Sequence, residues 1–147
     1  GRRRSMRERL LVPYDGSPLS ERALERAATT HPTDAITVLY VIDPVLAIYE
    51  AEIEGLEAAK SWHDRMQDRA NRLCDDATEQ AAAHDCDIST AVEIGDPGRE
   101  ILNYVDAHDV DHVVMGSHGR SGISRLILGS VAERVMRQSP VPVTVVR

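Results

Sequence analysis

Five short strand-like segments, separated by segments of helical periodicity, constrain this chain more than any other feature. Arg9 to Tyr14 reads as a first buried strand, Ala35 to Val41 as a second, Asp87 to Ile94 as a third, Asp109 to Met115 as a fourth and Val141 to Val146 as a fifth. The second is almost wholly apolar and β-branched, the pattern of a strand covered on both faces. Between the first two, Gly16 makes a turn, Ser17 caps a helix and Pro18 fits its first turn. Leu19, Ala23, Leu24, Ala27 and Ala28 then recur at helical spacing to about Thr29. From Leu56 to about His84 there is neither Gly nor Pro, and the segment reads as one long amphipathic helix, with Trp62 packed under it. Asp96 caps and Pro97 opens a third helix carrying Ile101, Leu102 and Val105. A fourth opens at Gly129-Ser130 and ends at Ser139-Pro140. The order βαβ, long α, βαβαβ predicts an α/β domain with a mostly parallel sheet covered by helices on both faces.

The length of 147 residues fits one such domain. It is placed at residues 7–147, with 1–6 as an N-terminal extension and Met6 as a candidate natural start. No apolar run approaches the ~20 residues of a bilayer span, and no apolar stretch follows the N-terminal arginines as a secretory signal would require. The net charge of −7 argues against a nucleic-acid partner. Lys60 is the only lysine, and this acid-rich, arginine-biased balance fits either a salt-adapted source or GC-rich coding. Cys74 and Cys86, without a CxxC or a ligand-spaced histidine pair, read as two reduced thiols of a cytoplasmic protein.

In an open α/β sheet, ligands sit beyond the carboxyl ends of the strands at the switch point. The loops Pro13 to Ser17, Val41 to Asp43 and Gly116 to Ser130 are therefore the candidates. The stretch Ile42 to Gly55 is a candidate lid with nothing diagnostic in it. In the third loop, Gly116 and Gly119 allow positive φ and close approach of a ligand. Gly129-Ser130 stands where a helix begins, so free N–H groups and the helix dipole favour an anion there. Ser130 adds a hydroxyl, and Arg120 and Arg125 could add charge. A P-loop is excluded, because Val131 follows Gly129-Ser130 and no lysine is near. GxGxxG is absent as well.

The spacing Gly116, two residues, Gly119, nine residues, Gly129-Ser130 resembles the G-x2-G-x9-G-[ST] signature of universal stress proteins. Val12-Pro13-Tyr14-Asp15-Gly16-Ser17 resembles that family's first strand and turn, and Ser139 to Val146 its last strand. The resemblance implies a three-layer sandwich of the adenine nucleotide alpha hydrolase-like type, with a five-stranded parallel sheet of order 3-2-1-4-5. It implies ATP as ligand, with or without Mg²⁺. Asp15 would lie on the ribose or adenine side, and Val41 would hold adenine through its backbone. Gly116, Gly119, Gly129 and Ser130 would cradle the phosphates, with Ser117, His118, Arg120 and Val131 lining the loop. Pro13, Tyr14 and Met115 complete the candidate set. A homodimer through Val141 to Val146 is also implied, and an apolar edge strand left bare would be an aggregation risk.

Several residues have plainer readings. Asp15 could serve only the turn, Ser17 is a helix cap, Tyr14 fills the core more readily than it meets a nucleotide, and His118 could equally be exposed. His31, His63 and His84 read as surface residues, and His108 with His112 does not read as a metal pair. No base–nucleophile pair and no two-carboxylate metal site accompany the loop, so no catalytic residue is assigned. A regulatory nucleotide-binding module is expected. A slow nucleotide hydrolase and a nucleotide-free scaffold are the rivals.

Overall fold

The computed structural model describes residues 7–45, 52, 55–118 and 128–147. The N-terminal extension, most of the candidate lid, Gly119, Arg120 and Arg125 therefore lie outside the described residues. The elements follow the expected order: β1 (Arg9–Pro13), α1 (Pro18–Thr30), β2 (Ala35–Ile42), α2 (Leu56–Ala82), β3 (Ile88–Ile94), α3 (Pro97–Ala107), β4 (His112–Gly116), α4 (Ser130–Gln138) and β5 (Val143–Val146). All strand pairings are parallel, in the order β3-β2-β1-β4-β5. The chain thus builds one half of the sheet outward from β1, returns, and builds the other half from β4. The β1/β4 junction is the switch point.

The strands separate two cores by simple alternation. Leu10 and Val12 of β1 face one side with Ala23, Leu24 and Ala27 of α1 and Trp62, Ala70 and Ala77 of α2. Leu11 faces the other, with Ile101 and Val105 of α3 and Ala132 and Val135 of α4. The result is the three-layer α/β sandwich that the sequence pattern predicts. Cys74 and Cys86 are free thiols, and no helix among the described residues is long and apolar enough to cross a membrane.

Two strands begin later than the segments read for them. At β4, Asp109 takes a left-handed φ of 53°, Asp111 then donates its N–H to the Arg9 carbonyl at 2.8 Å while its carboxylate accepts from the Arg9 N–H at 2.9 Å, and the strand itself starts at His112. At β5, Pro142 has no N–H to give. It contributes only its carbonyl, which accepts from Val113 N–H at 3.0 Å, while Val141 N–H is taken by Ser139 Oγ at 3.1 Å. The strand is therefore Val143–Val146 and not Val141 to Val146.

Candidate functional site

A cavity of about 360 Å³ opens at the carboxyl ends of β1, β2 and β4, where the topology places a ligand. Pro13, Tyr14 and Asp15 come from β1 and the turn after it, Val41 from β2, Met115 and Gly116 from β4. His118 and the start of α4, Gly129, Ser130 and Val131, close the other side. Ten of the thirteen candidate residues thus meet in one wall. Gly119 and Arg120 lie outside the described residues. Ser117 is the exception: it is buried behind the wall, donating its N–H to the Val146 carbonyl at 2.8 Å and accepting from Gly129 N–H at 2.7 Å. It ties β4 to β5 and to α4 and does not face the cavity.

Three helices start at this cavity, and their N-termini differ. At α1, Ser17 Oγ accepts from Ser20 N–H at 3.3 Å. At α3, Asp96 Oδ2 accepts from Arg99 N–H at 3.0 Å. Both helices satisfy part of their own orphan donors. α4 does not: its N-cap is Gly129, which has no side chain to offer. Among the described residues no side chain caps the start of α4, and its dipole makes that place favourable for an anion. Beside it, the Ser117 hydroxyl and both ring nitrogens of His118 are buried without a partner among the described residues. His118 is thus neither a freely exposed side chain nor a satisfied core histidine.

The opposite end of the cavity is apolar, with Leu39, Val41, Ile101 and Met115 in its lining. β1 leaves the sheet after Pro13, whose partner is Leu39, and Tyr14 N–H takes the Leu39 carbonyl at 2.9 Å. Backbone groups two residues apart in a strand point the same way. The Val41 N–H and C=O therefore point toward the gap where β1 has ended, with no β1 residue opposite. Tyr14 serves two places. It is buried in the core, as its plainer reading has it, and it also lines the cavity. Burial, and then the carboxylates of Glu21, Asp76 and Asp15, push its phenol up to about 12, so it stays neutral. Asp15 does form the turn, accepting from Ser17 N–H through Oδ1 at 3.0 Å, and it lines the cavity as well.

Gly116 does not take the positive φ that a glycine allows, and Gly129 is not at positive φ either; among the described glycines only Gly16, Gly55 and Gly95 are. Both are small for close packing instead, Gly116 against Leu19 and Gly129 against His118 and the Ser117 carbonyl. Ser20, Leu39, Tyr40, Pro97, Ile101 and Ala132 line the cavity without having been singled out. Asp96-Pro97 is legible as a helix start, but only the fold shows that this helix starts at the cavity.

A donor-rich, uncapped helix terminus facing an apolar slot suits a ligand with an anionic end and a flat apolar end. The chain matches the universal stress protein family over residues 6–147. It is 30% identical to a universal stress protein of Methanocaldococcus jannaschii, over 95% of this chain and 82% of that one. The solved structure of another protein of that organism superposes with a TM-score of 0.81 at 25% identity, covering 97% of this chain and 96% of that chain. A solved universal stress protein in complex with cAMP has a TM-score of 0.71 at 25% identity, covering 97% and 99%. With residues 6–147 matched and its sheet order and cavity in place, the chain belongs to the universal stress protein family.

Proposed function

We propose that this protein binds an adenine nucleotide, ATP, in the cavity at the β1/β4 switch point, and that it works as a homodimeric regulatory module. The observation that carries this reading is the contrast between the helix N-termini: α1 and α3 cap themselves, and α4 meets the cavity with no side-chain cap among the described residues. Ser130, Val131 and Gly129 would hold the phosphates, with Gly116 and His118 beside them and Gly119, Ser117 and Arg120 in or behind the same loop. The apolar end would take the base, with the Val41 peptide hydrogen-bonding its edge. Asp15, which spends one oxygen on its turn, would keep the other for a ribose hydroxyl. The cAMP complex of a similar protein supports the choice of an adenine nucleotide. For the homodimer, the support is the free side of β5. The Pro142 carbonyl just before it and its Val146 carbonyl accept from Val113 and Ser117 N–H on the β4 side, so the backbone groups of Val143 and Val145 point outward.

Calorimetric titration with ATP, ADP, AMP and cAMP, with and without Mg²⁺, tests the ligand. The discriminating variant is Ser130→Asp. An aspartate in the first turn of a helix favours the dipole and leaves or raises stability, while its charge opposes a phosphate at the same place. Ser130 is exposed, so the change strains nothing. ATP affinity is expected to fall by at least about tenfold, roughly 1.4 kcal/mol, with the thermal midpoint unchanged or higher. Undiminished ATP binding by Ser130→Asp would remove α4 from the site. An absence of binding by the wild type to all four nucleotides would refute the reading.

A further inference from the structure

The end of the sheet opposite the cavity holds a second convergence of reactive side chains. Glu8 immediately precedes β1, His31 ends α1 and Asp34 immediately precedes β2. One ligating atom of each, an imidazole nitrogen or a carboxylate oxygen, lies within 4.8 Å of the other two. The group is more than a patch of exposed acid. His31 and Asp34 are half-buried, and the Asp34 carboxylate is held at both oxygens: Oδ1 accepts from Glu8 N–H at 3.0 Å and Oδ2 lies 3.1 Å from His31 Nδ1. The His31 ring is further held edge-on by His112, with centroids 5.7 Å apart. His112 is itself fixed through Nε2 by Thr144 Oγ1 at 2.8 Å. Arg7 also approaches, with Nε donating to the Thr33 carbonyl at 2.7 Å. His31 is thus not the plain surface residue that its position after α1 predicts.

We infer that Glu8, His31 and Asp34 bind a borderline divalent metal ion of the zinc class, at a site separate from the nucleotide cavity. A mixed imidazole and carboxylate set suits Zn²⁺, Co²⁺ or Ni²⁺, whereas Mg²⁺ and Ca²⁺ prefer oxygen alone. Zinc–ligand distances of about 2.0–2.2 Å put tetrahedral donors about 3.4 Å apart. Rotation of the exposed Glu8 side chain can draw the set together to that spacing. Three protein ligands leave a fourth position for water. His112, against the His31 ring, sets its plane as an outer partner of the site. The three residues come from one stretch of chain folded back on itself and need no partner molecule to meet.

The test uses the full chain, freed of metal by chelation, titrated with Zn²⁺ by calorimetry and with Co²⁺ by visible absorption. One saturable equivalent is expected, with Co²⁺ giving the intense d–d bands of a low-coordinate site. His31→Ala and Glu8→Gln should each weaken binding by at least about tenfold, and His63→Gln, an exposed histidine of α2, should not. Glu8 is exposed, so Glu8→Gln reports on the site even if His31→Ala disturbs the fold. Zinc binding that survives both Glu8→Gln and His31→Ala, or no saturable binding at all, would overturn the assignment.

Discussion

A Cβ built on Gly116 would lie 2.8 Å from Leu19 Cβ and 3.1 Å from the Leu19 carbonyl carbon. The first turn of α1 rests directly on the end of β4 there, and only a hydrogen fits between them. On Gly129 the same atom would meet His118 Cβ at 3.0 Å and the Ser117 carbonyl oxygen at 3.1 Å. Two glycines of the G-x2-G-x9-G-[ST] spacing are therefore needed by the fold before any ligand is considered. Gly116→Ala should push α1 away from the sheet and cost about 1–3 kcal/mol, read as a lower denaturant midpoint at constant slope. If its stability were unchanged and only nucleotide affinity fell, the glycine would belong to the ligand and not to α1. The spacing of these glycines is legible in sequence. Their reason is not, because Leu19 is some hundred residues away along the chain and meets Gly116 only after β1 and β4 pair.

Helix starts are the elements that the sequence states most clearly. Ser17-Pro18 and Asp96-Pro97 each place a side-chain acceptor before a proline, and both helices begin there. The physics is local: the acceptor reaches an N–H three residues on, and proline wastes no donor in the first turn. Asp96 also does something non-local. Its Oδ2 accepts from Arg134 Nη1 of α4 at 2.7 Å, which ties together two of the helix starts around the cavity. Asp96→Ala should cost about 1–2 kcal/mol, most of it the lost cap, since an exposed ion pair adds less than about 1 kcal/mol. Asp96→Asn keeps an acceptor and should recover most of that. Equal losses in the two variants, measured by denaturant unfolding, would mean that the Arg134 pair and not the cap carries the effect. Strand starts are less legible. The segments read for β4 and β5 begin before the strands themselves, which start after the left-handed backbone at Asp109 and after Pro142, which has no N–H to give.

On the scale of the whole molecule, β3 and β5 are the two edges of the sheet. β5 is short and its outward edge meets no further strand among the described residues, with Met136 of α4 exposed nearby in sequence. For the proposed dimer, Val145→Pro is the informative change. The Val145 N–H points away from β4, so proline there leaves the β4 ladder intact and removes a donor only from the free edge. Sedimentation should show a dimer for the wild type and a monomer for Val145→Pro, with the thermal unfolding of the monomer otherwise preserved. A variant that remains dimeric would place the interface elsewhere.

The sequence by itself determined the element order, the three-layer α/β class, the caps of α1 and α3, and the three loops around which the cavity forms. All of these follow from periodicity, turn chemistry and the limited ways of connecting parallel strands, which act over a few residues at a time. Only the tertiary structure decided which side chains share a wall. It brought Pro97 and Ile101 to the cavity, turned Ser117 behind it, and assigned Gly116 to α1. It also gathered Glu8, His31 and Asp34 at the far end. Each of these depends on the register of β1 against β2 and β4, and that register is a property of the assembled sheet, which no single segment of the chain encodes alone.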